Sequence, residues 1–578
     1  MTNIPRPEYP RPQFARPSWL NLNGTWQFEI DHGASGYERG LQAKPTLDGT
    51  IVVPFCPESA LSGVNNKDFM AAVWYRRTFT LPDDAAGKCV FIRFGAADYH
   101  CEVWINGISV GVHEGGHVSF GFAITRALQA GENTVVVYAR DDTRGGRQPL
   151  GKQSRRYHSS GCSYTRTTGI WQTVWLEWMN AVHIQSVKMI PDAQNGAVML
   201  DALISAPAPD AELCAQASFA GTPQGEVRCA ADGVHARLRL AVKDRHLWNA
   251  GEPNLYDLKL SLAVGGAVTD TVDSYFGLRT IAFDGKKCLI NGRPVFQRLV
   301  LDQGYDPDGI LTAPSDAALK RDIELSMAMG FNGARLHQKV FEPRYLYWAD
   351  HLGYLCWGEM ASWGIQPDRP HTMGIFLGEW LEAVGRDFNA PSIVGWCPYN
   401  EVWGESGDGL RALTLRTTCH VTRAMDPTRP VIDASGGLHT DTDIYDTHDY
   451  EQDPAVFARR YAPGAALYDR LGDRQHYNGI KPVFVSEYGG IRWTDDDNGW
   501  GYGEAPATRE EFLRRYEGLT TVLLQNPDFM GFCYTQLTDV EQEQNGLYTD
   551  RRQPKFPPEA IAKINRKKAA MESQRPAF

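Results

Sequence analysis

Two hydrophobic rhythms divide this chain. Up to about residue 181, short runs rich in β-branched and aromatic side chains (25–30, 73–79, 103–105 and 133–139) are separated by turns, with hardly any helical spacing. A period of two without helices predicts a β-sandwich, of jelly-roll type, over residues 1–181. Asn106-Gly107 lies between two such runs and predicts a tight hairpin, because both turn positions need positive φ. Residues 182–278 repeat the rhythm on a smaller scale, at 198–200, 236–240 and 255–260, with the length and strand spacing of an immunoglobulin-like sandwich.

Beyond Phe276-Gly277-Leu278-Arg279 the order changes to strand, loop, helix. Ser315 can cap a helix whose apolar stripe runs through Leu319, Ile323 and Met327 and which Gly330 stops; a second helix ends at Leu352-Gly353. Eight buried runs fall near 295–300, 332–336, 354–359, 393–400, 431–434, 444–448, 483–487 and 532–536. Eight strands alternating with helices over residues 279–578 predict a (β/α)8 TIM barrel, the fold in which chemistry sits at the carboxyl ends of the strands.

Two of those ends carry the glutamates of a candidate pair: Glu401, after Ile393-Val394-Gly395-Trp396-Cys397-Pro398-Tyr399-Asn400, and Glu487, after Pro482-Val483-Phe484-Val485-Ser486. The other ends supply Arg335 and His337, Glu359 with Trp363, Asn400, His448 with Asp449 and Tyr450, Tyr488, Tyr534 and Gln536. Acids, amides and aromatics suit a neutral polyhydroxylated ligand. There is no phosphate-cradling glycine loop and no dense histidine set, so neither cofactor nor metal is expected. Cleavage of a glycoside needs two carboxyl groups, one protonated to aid the leaving oxygen and one ionised. Burial and mutual repulsion push the pKa values of such a pair apart.

Composition narrows the partners. Among 578 residues a formal charge of -11 sets the average surface against nucleic acid and anionic membrane, and no run is apolar enough to span a bilayer. From the proline- and charge-rich start no signal peptide is expected, and 11 scattered cysteines without a Cys-x-x-Cys pair suit reduced thiols in a cytoplasm. Of the 16 tryptophans, Trp26, Trp74, Trp104 and Trp171 are expected in sandwich cores. Trp363, Trp403 and Trp493 follow strand ends and suit either a sugar platform or loop core.

The contexts Trp396-x-x-x-Asn400-Glu401 and Ser486-Glu487-Tyr488-Gly489 closely resemble glycoside hydrolase family 2, the β-galactosidases, β-glucuronidases and β-mannosidases. Residues 22–28, 74–79, 169–175 and 248–256 are similar to its accessory sandwiches, and 276–279 with 289–294 to its entry into the barrel, all in family order. The resemblance implies a retaining exo-β-glycosidase with Glu401 as general acid/base and Glu487 as nucleophile. It also implies Asn400 on the sugar 2-hydroxyl, Tyr488 holding the nucleophile, and Arg335 orienting Glu487 by a charge-assisted pair. His337, Trp363, His448, Tyr450, Tyr534, Gln536 and Asp302 join the expected substrate contacts, while Glu359 is read as a structural partner of Arg335.

Departures from the family bear on the sugar. Where glucuronidases carry an Asn-x-Lys clamp this chain has Glu543-Gln544-Asn545-Gly546, and the acidic-histidine cluster of large β-galactosidases is replaced by Asp302-Gln303-Gly304-Tyr305. Arg335-Leu336-His337-Gln338 stands for the common Arg-x-Ser-His, and Tyr534 for a tryptophan. The expectation is a cytoplasmic enzyme acting on small glycosides with a terminal galacto-configured sugar. β-Galactofuranosidase or arabinosidase, an atypical β-glucuronidase, a silent carbohydrate-binding protein and a metal-dependent hydrolase stay open as alternatives. So does a homo-oligomer, for which no stretch fixes an interface.

Overall fold

The computed structural model describes residues 4–573 apart from 405–408, 463, 469–476, 478, 495 and 497. The first unit packs a four-stranded sheet (Trp19–Asn21, Val174–Met179, Cys89–Phe94, Phe120–Ala123) on a six-stranded one running from Gly49–Val53 to Ile108–Glu114. Alternate residues of both sheets, Trp26, Ile92, Val103 and Val137 among them, fill the layer between. Asn106 (φ 52°) and Gly107 (φ 81°) make the turn of the hairpin His100–Ile105/Ile108–Glu114. The second unit is a smaller antiparallel sandwich of three strands on four, built around Leu200, Leu238, Leu260 and Val272.

The third unit is the barrel. Its strands are β1 (Gln297–Asp302), β2 (Gly333–Leu336), β3 (Leu355–Glu359), β4 (Ile393–Cys397), β5 (Ala434–Ser435), β6 (Tyr445–Asp449), β7 (Val483–Gly489) and β8 (Phe529–Thr535). Seven of them form one curled parallel sheet in the order β4-β3-β2-β1-β8-β7-β6. β5 completes the wall from the β4 side: it pairs in parallel with the two-residue strand Tyr399–Asn400, and Val431 bridges Trp396. Leu299, Leu301, Trp357, Phe484, Met530 and Cys533 point inward as a packed plug, so the barrel has a floor and its chemistry is confined to the strand ends.

Helix α1 (Asp316–Ala328) starts on Ser315, whose hydroxyl accepts the Ala318 N–H at 3.2 Å, and Gly330 at φ 82° turns the chain out of it. Helix α2 (Pro343–Leu352) ends at Gly353 in the same left-handed conformation. One expected helix is missing: β5 and β6 are joined by residues 436–444 alone, a connection with no helix. This loop carries His439 into the wall between Asp433 (2.7 Å) and Asp446 (3.1 Å), and the two carboxylates raise its pKa well above the ordinary histidine value despite burial.

The jelly roll docks on the barrel through buried polar groups. Glu379, on helix α3 (Pro370–Asp387), accepts the His117 N–H at 2.7 Å, its other carboxylate oxygen has no partner, and burial pushes its pKa to about 8. The unfolded chain releases this proton near pH 4.3 and the folded one near 8. Stability therefore falls as pH rises between those values, where the folded state holds the extra proton. Glu379→Gln is expected to raise thermal stability at pH 8 and to leave it nearly unchanged at pH 4, in melting curves across pH 4–9. An equal shift at both ends would remove burial of this acid as the cause. Among the described residues no helix is long and apolar enough to cross a membrane, and all eleven cysteines are unpaired.

Candidate active site

At the mouth of the barrel one arginine organises the acids. Arg335, at the end of β2 and 1% exposed, gives Nε to Glu359 at 2.6 Å, Nη2 to Asn400 Oδ1 at 2.5 Å and Nη1 to the Ser486 carbonyl at 3.0 Å, with Nη2 also 3.0 Å from Glu487 Oε1. Arginine can only donate, so Asn400 turns its oxygen to Arg335 and leaves its NH2 as a donor toward the cavity. Burial pushes Glu359 up, but Arg335 and His337 outweigh it and hold the carboxyl at about 2. Glu359 is thus a permanent anion beneath the site.

Glu487 closes β7. Burial raises its carboxyl, yet His448 and Arg335 prevail against that and against Glu401, and keep it below the usual carboxylate range. Its Oε2 takes the Tyr450 hydroxyl at 2.5 Å and lies 3.3 Å from His448 Nδ1. Oε1 has Arg335 nearby but no hydrogen-bond partner among the described residues.

Glu401 follows Asn400 with φ at 49°, a left-handed backbone unusual for a side chain of this size. Its N–H bonds the Ser435 carbonyl at 2.8 Å and its Oε1 stands 2.8 Å from His448 Nδ1. That nitrogen faces acceptors while Arg335 Nη1 faces Nε2 at 3.4 Å, so Nδ1 carries a proton between the two carboxylates. A carboxylate oxygen of Glu401 and one of Glu487 lie within 4.8 Å of each other, with His448 in the same group.

His337 Nδ1 is 2.9 Å from Arg335 Nη2 and 3.0 Å from Glu359 Oε1; burial lowers its pKa to about 4, keeping the imidazole neutral. Trp363 gives its indole N–H to the Asn400 carbonyl at 3.2 Å. Gln536 is fully buried just past β8, with its amide N–H on Asn545 and its Oε1 unpartnered.

Three expected contacts point elsewhere because a strand turns successive side chains to opposite faces. Tyr488, next to inward Glu487, faces outward and bonds Thr520 at 2.8 Å; the hydroxyl on Glu487 is that of Tyr450. Tyr534 lies in the same outer core, against Tyr488 and Tyr516, and forms no subsite floor. Asp302 turns behind the barrel wall, where it accepts from Gly304 N–H and Tyr345, and burial pushes it to about 6. Asp449 is likewise tied to Arg460 and Tyr461, and Trp493 packs on Phe512 and Phe556.

The first sandwich also reaches this mouth, through residues 141–168 between the strands Glu132–Arg140 and Gly169–Ile170. Leu150 and Gly151 donate their N–H groups to the carbonyl of Trp363 (2.7 and 3.2 Å). Gly151 has φ 60°, and a Cβ there would meet the Gln338 carbonyl at 2.2 Å, so only glycine allows this approach. The loop lines one side of a cleft of about 1100 Å³ that has Trp363, Asn400 and Glu401 on the other. Lys152, Cys162 and Tyr164 are the residues that strand-end reasoning missed. Their signal was the length of this polar connection, since loops beyond about 15 residues in a compact domain tend to serve a function.

Comparison with known proteins agrees with this architecture. Residues 20–145 match the family model "Glycosyl hydrolases family 2, sugar binding domain", and residues 182–279 match "Glycosyl hydrolases family 2". A β-glucuronidase of Paenibacillus borealis is 25% identical over 93% of this chain and 94% of its own length. The β-galactosidase BoGH2A of Bacteroides ovatus is 25% identical over 71% of this chain, which spans 53% of that longer protein. Among solved structures, β-glucuronidases of Dictyoglomus thermophilum (TM-score 0.77, 21% identity, 97% and 98% of the two chains) and Bifidobacterium dentium (0.80, 20%, 95% and 97%) share the fold. Both family models fall on the sandwiches in order ahead of a barrel that presents two glutamates at its mouth, and this similarity to glycoside hydrolase family 2 marks the chain as a glycosidase.

Proposed function

We propose that the protein is a retaining exo-β-glycosidase that removes a terminal neutral sugar, galacto-configured, through a covalent glycosyl-enzyme. The observation that carries this is the approach of Glu401 and Glu487 to within 4.8 Å, since inversion needs roughly 6.5 to 9.5 Å to seat a water between the carboxyls. Glu487 is the nucleophile. Tyr450 and His448 occupy its Oε2, so Oε1 is the oxygen that attacks the anomeric carbon, and Arg335 holds the carboxylate ionised while it does so. Glu401 protonates the leaving oxygen in the first step and takes a proton from the attacking water in the second. Asn400 offers its NH2 to the 2-hydroxyl, and that bond strengthens as positive charge grows on the ring.

A division of labour between the two acids follows. Glu401→Ala is expected to slow release of alkyl aglycones about 100- to 10,000-fold, the range for one general acid, and to affect dinitrophenyl glycosides far less, because these leave without a proton. Equal losses on both leaving groups would reassign the acid.

The sugar is tested by hydrolysis of aryl β-galactopyranoside, galactofuranoside, glucuronide, mannoside, glucoside and α-L-arabinosides with wild type and Glu487→Ala side by side. Cleavage of the galactoside by wild type alone is the expected result. Glucuronide cleavage is the second reading, favoured by the names of the relatives, and exclusive turnover of glucuronide would replace the first.

A further inference from the structure

Lys152 is a cation on a buried side chain near the mouth of the barrel that the chemistry above leaves unused. It comes from the jelly-roll excursion, is 6% exposed, and holds its Nζ 4.1 Å from the centre of the Trp363 ring. No carboxylate or carbonyl among the described residues pairs with it. Its charge nevertheless reaches the site, for it lowers the imidazole of His337 and counts among the influences on Cys162 and Glu543. An ammonium on a largely buried side chain, with no acceptor among the described residues, is placed to meet an oxygen that arrives with the substrate.

Glu543 stands nearby, on the loop after β8, and is 3% exposed. Tyr164, whose N–H bonds the Lys152 carbonyl, donates its hydroxyl to Glu543 Oε2 at 2.5 Å, and Asn545 donates to Oε1 at 3.2 Å. Burial raises the Glu543 carboxyl, Lys152 draws it back, and Glu487 pushes it up, so the carboxylate senses both the lysine and the nucleophile. Each oxygen keeps one lone pair for a further donor.

We propose that Lys152 and Glu543 form a charge pair across the sugar pocket that grips the hydroxyls of a neutral glycon and rejects a uronic acid. Lys152 donates to a hydroxyl oxygen over the Trp363 face, and Glu543 accepts a hydroxyl proton from the other side. A uronate fits this arrangement badly. Glu359 and Glu487 already share Arg335, and a substrate carboxylate that reached Lys152 would face the Glu543 carboxylate from the other side. The jelly roll is therefore part of the sugar-binding site, and specificity is divided between two units of the fold.

This inference rests on the retaining-glycosidase reading, and the two can fail separately. The test measures kcat/KM of Lys152→Met, Lys152→Arg, Glu543→Gln and Glu487→Ala on an aryl β-galactoside and on the matching aryl β-galacturonide. Ratios between two substrates in one preparation do not depend on the fraction of folded enzyme. Lys152→Met is expected to lose about 10- to 100-fold on the neutral sugar, the worth of a hydrogen bond to a charged group, with partial recovery in Lys152→Arg. Glu543→Gln is expected to raise the uronide-to-neutral ratio at least about tenfold. The pair is overturned if Lys152→Met leaves the neutral substrate unaffected, if it removes uronide turnover alone, or if wild type cleaves only uronides. Activity surviving in Glu487→Ala would instead sink the retaining mechanism, whatever the other variants do.

Discussion

Glu487→Ala is expected to lose at least about 10,000-fold in kcat on any glycoside, the scale seen when a covalent nucleophile is removed, and to regain part of it on adding azide. The substitution leaves a cavity bounded by Arg335, Tyr450 and His448, which together held a carboxylate and can hold another small anion. Azide attacking from that position displaces the aglycone in one step. The product is the α-glycosyl azide, inverted relative to the β-substrate and identifiable by NMR. Glu401→Ala given azide should instead yield the β-azide, because the nucleophile is intact and only the second step is open to the anion. The exchanged outcome, β-azide from Glu487→Ala and α-azide from Glu401→Ala, would show that the two carboxylates have been assigned to the wrong roles.

Arg335→Met is expected to be the most destabilising single change at the site. It leaves Glu359, 2.6 Å from the lost guanidinium, and Glu487 buried without their shared cation, and breaking a buried pair in this way costs about 3–5 kcal/mol. The sign of the pH dependence makes the cause visible. In the wild type Glu359 titrates at about 2, below its unfolded value, so it stabilises the fold above pH 4 and that contribution is lost only as pH falls toward 2. In the variant burial is opposed only by His337 and His448, so both carboxyls move up and less stability is gained as pH rises. The gap in denaturation midpoint between the two proteins should widen from pH 4 to pH 8. A gap that stays constant would mean lost packing rather than stranded charge.

The barrel was legible because its apolar runs are long and end in polar residues. All eight runs contain or overlap a strand, and Glu401 and Glu487 stand where the strand-end rule puts them. Side-chain direction was harder to read. Glu487 and Tyr488 are neighbours, so on a pleated strand only one of them can face the cavity, and the resemblance to a family motif gave no reason to choose. The same alternation sends Asp302 and Tyr534 outward, whereas Tyr450, past the end of β6, is free of it. The missing helix between β5 and β6 was hidden because residues 431–434 and 444–448 look the same whatever joins them. Lys152 escaped because its meeting with Trp363 is a tertiary event between two units far apart in sequence, and a single chain carries no local mark of such a meeting.

The helix-free crossing from β5 to β6 has a bearing on stereochemistry. Every other neighbouring pair of barrel strands is tied by a run of backbone bonds, while among the described residues β5 and β6 are joined by one backbone bond at their start, Asp443 N–H to the Val431 carbonyl at 2.9 Å, and otherwise through side chains, with the Ser435 hydroxyl on Asp446 at 2.7 Å and Ser486 on the same carboxylate. Glu401 hangs on one lip of this seam, by its N–H on Ser435, and His448 with Glu487 on the other. The gap between the two carboxylates is thus set by a few hydroxyl contacts rather than by a ladder. A protein that loosened this seam by one or two ångströms would keep both acids and its fold, and would admit a water where the sugar ester now forms. In such a variant the choice between retaining and inverting an anomeric centre would lie with the seam in the wall and not with the acids themselves.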